Sequence, residues 1–116
     1  MNRDVISMKL LLECFCECTI PEIYKILPKD TSLVITSNKN GTSALIEEHC
    51  QKNKIPILII KPNNEENVSD TLIYLNLVAT LADEFIFITE KNSNDARVYI
   101  EFAKQRKKRA NQIYNS

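Results

Sequence analysis

Three short runs constrain this chain more than any other feature. They are Ser32 to Thr36 (SLVIT), Ile55 to Ile60 (IPILII) and Glu84 to Thr89 (EFIFIT). Each is apolar along its length rather than at every second residue, and rich in β-branched or aromatic side chains. A strand with one wet face alternates; a strand covered on both faces does not. Met8 to Phe15 (MKLLLECF) reads as a fourth strand of the same kind. Stretches with helical spacing separate them. Parallel strands need crossover connections, and crossover helices are what cover both faces of a sheet. The pattern therefore predicts one α/β domain over residues 1–116, three layers deep, around a mainly parallel sheet of four to five strands.

The helices have recognisable limits. Pro21 suits a first helical turn, and Ile20, Ile23, Tyr24, Ile26 and Leu27 then form an apolar face ended by Pro28. A second helix runs from Ser43 to about Lys52, with Leu45, Ile46, His49 and Cys50 on its packed side. Ser69 is the expected N-cap of a third, reaching about Ala82. Ser93 or Asn94 is the expected cap of a fourth, reaching about Lys107, and Ile113 and Tyr114 suggest a short final strand.

Charge removes some function classes. Fifteen basic and 15 acidic residues balance, so no general attraction to nucleic acid or anionic membrane is expected. The basic residues Lys104, Arg106, Lys107, Lys108 and Arg109 sit where a helix C-terminus favours cations anyway. No apolar run approaches the roughly 20 residues that span a bilayer. Glu13 interrupts the short apolar stretch after Lys9, so no signal-peptide core is present and a cytoplasmic protein is expected. Cys14, Cys16 and Cys18 fall two apart, a spacing unlike the two- to four-residue spacers of zinc sites. Together with Cys50 they read as reduced thiols of a core, and neither a metal nor a cofactor is expected. His49 reads as a packing or surface residue rather than a catalyst.

A ligand in an open parallel sheet binds beyond the carboxyl ends of the strands. Three polar segments fall there: Cys16 to Thr19, Thr36 to Ser43, and Thr89 to Arg97. The second and third lead into helix N-termini, whose N–H groups and dipole favour anions. Candidate ligand-binding residues are Thr36, Ser37, Asn38, Lys39, Gly41, Thr42 and Ser43, with Ser93 and Arg97 from the last loop. Glu90 and Asp95 form a candidate carboxylate pair. Gly41 is the chain's single glycine, whereas a phosphate cradle normally uses several.

The order of segments resembles the SLOG superfamily, Rossmann-like domains related to cytokinin-activating phosphoribohydrolases and the DNA-processing protein A, and within it a small bacterial branch. The stretches that carry the resemblance are MKLLLECF, LVITSNKNGTSALIEEHCQKNKIPILII and YLNLVATLADEFIFITEKNSNDARVYIEFAKQRKKR, covering about Met8 to Tyr114. It implies a nucleotide- or nucleotide-derivative-binding or sensing module without catalytic residues, and adds Asn76 to the ligand-binding set. The family's motif residues are largely replaced. Phe15-Cys16-Glu17 stands for Gly-Ser-Arg, Ser37-Asn38 for a glycine pair, Ser43 for Asp, Tyr74 or Leu75 for an Arg, and Asn94-Asp95-Ala96 for a Gly-Thr turn. The Arg and Glu pair of the hydrolases is not found. Two readings stay open: a nucleotide-binding module, and a degenerate scaffold acting through dimerisation or protein–protein contact.

The segment from Leu72 to Ala82 stands out for another reason. Leu72, Ile73, Leu75, Leu77, Val78, Ala79, Leu81 and Ala82 make it apolar nearly all round. One face can meet the sheet; the other predicts a subunit contact, a two-fold homodimer.

Overall fold

The computed structural model describes residues 8–16, 27–28, 30–37, 43–64, 67–90 and 96–115. Its strands are β1 (Met8–Cys14), β2 (Thr31–Thr36), β3 (Ile57–Ile59), β4 (Glu84–Glu90) and β5 (Arg109–Asn115); its helices are α1 (Ser43–Lys52), α2 (Val68–Leu81) and α3 (Arg97–Gln105). All five strands lie in one parallel sheet in the order β3-β2-β1-β4-β5. This is a three-layer Rossmann-like α/β fold. The helix expected to open at Pro21 lies outside the described residues.

Side-chain alternation in the central strands sorts the core into two layers. Leu10, Leu12, Cys14, Val34, Ile86 and Ile88 face α1 through Ile46 and Cys50. Leu11, Ile35, Phe85 and Phe87 face α2 and α3 through Tyr74, Leu75, Val78, Tyr99 and Phe102. Each fully buried aliphatic or aromatic side chain contributes roughly 1.5–3 kcal/mol over its exposed state. At the amino end of the sheet, Asp83 clasps β1: its N–H donates to the Lys9 carbonyl at 2.7 Å and its carboxylate accepts from the Lys9 N–H at 3.0 Å.

Several boundaries depart from the sequence expectation. β3 is only three residues long, because Pro56 precedes it and the strand lies at the sheet edge, where Leu58 and Ile59 are exposed. β5 is longer than Ile113 and Tyr114 suggested: as the opposite edge it pairs all seven residues with β4 while keeping a polar composition. The N-cap of α2 is Asn67, not Ser69; its side chain accepts from the Asp70 N–H at 3.2 Å, so the helix starts earlier. α3 begins after the buried Ala96, which makes no side-chain cap bond; Ser93 and Asn94, the expected caps, lie outside the described residues. It stops at Gln105 rather than about Lys107.

The ends of α1 and α3 explain how a chain so poor in glycine closes its helices. Lys54 and Lys107 both adopt left-handed backbone, with φ of 57° and 56°. Around Lys54 the Ile55 N–H donates to the Cys50 carbonyl and the Lys54 N–H to Gln51; around Lys107 the Lys108 N–H donates to Ala103 and the Lys107 N–H to Lys104. Both are Schellman turns with lysine where glycine is usual. The cation near the helix C-terminus offsets part of the steric cost. Lys54→Gly is expected to raise stability by about 0.5–1 kcal/mol in urea unfolding, whereas Lys54→Ala gives no gain.

Candidate functional site

Strand order locates the crevice. The chain leaves β1 toward β2 and β3 on one side and returns to β4 and β5 on the other, so the topological switch point lies between the carboxyl ends of β1 and β4. The β2 end borders it. Phe15 and Cys16 follow β1, Ser37 follows β2, and Glu90 closes β4.

At this end β1 carries a charge in the core. Glu13 is fully buried, on the same side of the strand as Leu11 and the α2–α3 layer. Its Oε1 accepts from the Ser37 N–H at 2.8 Å and the Thr36 hydroxyl at 3.2 Å. Its Oε2 accepts from the Ser37 hydroxyl at 2.7 Å and, more weakly, from the Tyr74 hydroxyl at 3.4 Å. Four donors converging on two oxygens suit an acceptor-only, ionised carboxylate. Burial, and then the adjacent Glu13 charge, push the Tyr74 hydroxyl pKa well above its ordinary value, which keeps that hydroxyl a donor.

Aromatic rings pack beside this cluster. Phe15 meets Tyr99 edge-to-face at 5.0 Å between centroids, Phe87 meets Tyr99 at 5.8 Å, and Tyr74 lies 6.5 Å from Tyr99. The α2–α3 side of the switch point is therefore filled by packed rings. On the other side Cys14 and Cys16 are buried, and the Cys16 thiol points to the Ile88 carbonyl. Cys50 is a buried free thiol; burial, reinforced by Glu47, pushes its pKa to about 11, which disfavours the reactive thiolate. Among the described residues no group of three or more His, Cys, Asp or Glu is arranged to hold a metal ion.

The sequence-selected residues separate in the fold. Thr36 and Ser37 come together at the β2 end, buried, with their donors directed to Glu13. Asn38, Lys39, Gly41, Thr42, Ser93 and Asp95 lie outside the described residues. Ser43 opens α1 and the exposed Arg97 opens α3. Asn76 sits on the exposed side of α2, donating to the Leu72 carbonyl at 2.9 Å and accepting from Arg106. His49 is buried at the far end of α1, and desolvation followed by Lys52 lowers its pKa, holding the ring neutral.

Among the described residues no helix is long and apolar enough to cross a membrane. The basic run is largely engaged within the fold. Arg106 stacks on Phe102, Lys108 donates to the Ala82 carbonyl at the end of α2, and Arg109 pairs with Glu84.

Sequence reasoning passed over Glu13 as a site residue. Its signal was a carboxylate inside an otherwise apolar strand, a placement that requires dedicated donors. Glu13→Ala is expected to lower stability by about 3–5 kcal/mol, through a cavity and an orphaned Ser37 N–H, and Ser37→Ala by about 1–3 kcal/mol. Urea unfolding followed by circular dichroism measures both. Compared with protein-family models, curated proteins and solved structures, the chain matches none.

Proposed function

We propose that this chain is a Rossmann-like interaction module that associates with a second copy through α2, not a hydrolase. The observation that carries the reading is the outer face of α2. Val68, Leu72, Ile73 and Leu77 are 58%, 37%, 67% and 51% exposed, although the other side of the helix is firmly packed through Thr71, Tyr74, Leu75, Val78 and Ala79. No charged residue occurs from Thr71 to Ala82. Two polar members of the face are satisfied within the chain: Thr80 donates to the Leu77 carbonyl at 2.7 Å, and Asn76 is held by Leu72 and Arg106. An apolar surface whose Thr80 and Asn76 side chains are already hydrogen-bonded within the chain loses little on being covered.

The carboxyl end of the sheet supports the same reading. At the β2 end the Ser37 N–H, a natural donor to a phosphate, is directed to Glu13, and the carboxylate beneath it repels a further anion. The SLOG resemblance then describes a scaffold whose phosphate-binding role is reduced. A second reading, a site for a nucleotide or nucleotide derivative, draws on the switch-point topology and its three converging strand ends.

Light scattering across a concentration series from micromolar to millimolar is expected to show self-association. Ile73→Glu with Leu77→Glu should shift the protein to monomer with its circular dichroism spectrum intact; a wild-type monomer throughout would refute the proposal. In a thermal-shift panel, phosphorylated nucleotides are expected to leave the melting temperature unchanged. A rise that Gly41→Val abolishes would instead favour the second reading, since a ligand bound only by the folded state stabilises it by mass action.

A further inference from the structure

All the exposed residues of α2 except Thr80 form a set with an internal symmetry. Val68, Ser69, Leu72, Ile73, Asn76 and Leu77 are exposed in adjacent pairs four residues apart. An antiparallel copy of the helix, centred between Leu72 and Ile73, sets Val68 opposite Leu77, Leu72 opposite Ile73 and Ser69 opposite Asn76. Each contact then occurs twice, as an isologous interface requires. Resting on the self-association reading above, we infer that the second copy docks through α2 in this antiparallel register, about a two-fold axis between Leu72 and Ile73.

Charge selects this orientation over the parallel one. A two-fold along the helix would bring each Asp70 beside its own copy and align the two helix dipoles, both unfavourable. The antiparallel pairing separates the two Asp70 carboxylates by about five residues, or roughly 7–8 Å along the axis.

The surface beside α2 fits the same partner. A cavity of about 160 Å³ lies between the β3–α2 connection and the helix, lined by Ile60, Pro62, Asp70, Ile73, Tyr74 and Leu77 among others. In the antiparallel register the partner segment facing it contains Val68 and Leu72, whose exposed side chains the cavity can seat. The paired span is about 14 Å long at 1.5 Å per residue. Such a contact buries on the order of a few hundred Å² per chain, below the roughly 800 Å² of a standard interface. The dimer is therefore weak, and filling this cavity adds to its area.

Cysteine pairs read the register directly. Under mild oxidation Ile73→Cys is expected to cross-link with itself, because it flanks the axis. Leu77→Cys alone is not: its copy lies nine residues away along the helix, about 14 Å, beyond the roughly 7 Å Cα limit of a disulfide. A mixture of Val68→Cys and Leu77→Cys chains should form the mixed dimer above the background of the unmutated protein. A dimer in which Leu77→Cys cross-links alone and the mixture does not would overturn the antiparallel register while leaving self-association standing. A monomer by light scattering, with no cross-link in any variant, would overturn both and leave the α2 face to a different protein.

Discussion

A buried carboxylate ties the working end of this fold together. Glu13 joins β1 to the end of β2 through Thr36 and Ser37, and to α2 through Tyr74. Placing a carboxylate in a core is costly unless its lone pairs are met. Here they are met by a backbone N–H and three hydroxyls, three of the four donors from Thr36 and Ser37 at the end of β2 and the fourth from Tyr74 on α2. Shifting α2 or the β2 end weakens that set. The cluster is thus a structural constraint on the region where Rossmann-like folds take their ligands.

That constraint bears on function. A phosphate site at a strand end needs free N–H groups, room for backbone to approach, and no nearby negative charge. At the β2 end the Ser37 N–H serves Glu13 instead, and the charge there is negative. Packed rings from Phe15, Phe87 and Tyr99 fill the adjoining α2–α3 layer. Polar demand is met inward and apolar surface is left outward, on α2. This division is the basis of the association proposed above.

Tyr74 stands where the two regions meet. It lines the cavity beside the exposed α2 face, while its hydroxyl reaches the Glu13 carboxylate. Its neighbours on the helix have different fates: Ile73 and Leu77 are exposed, and Leu75 and Val78 are buried. The same helix therefore anchors the core and presents a surface.

Much of the architecture was legible in the residues. The solid apolar runs at Leu33 to Thr36 and Phe85 to Thr89 required cover on both faces, which a parallel sheet with crossover helices provides. The limits of α1 and the all-round apolarity of α2 followed from periodicity. The edges were harder to read, because edge strands obey weaker rules: β5 keeps seven paired residues with the polar sequence RANQIYN, and β3 is apolar yet exposed. The site was the least legible part. Sequence spacing selected Ser37 and Thr36 as ligand donors, and only the parallel pairing of β1 with β2 brings Glu13 against them. Local composition determines which segments must be buried. Which polar groups meet inside is decided by strand order and register, which bring residues 24 positions apart into hydrogen-bond contact.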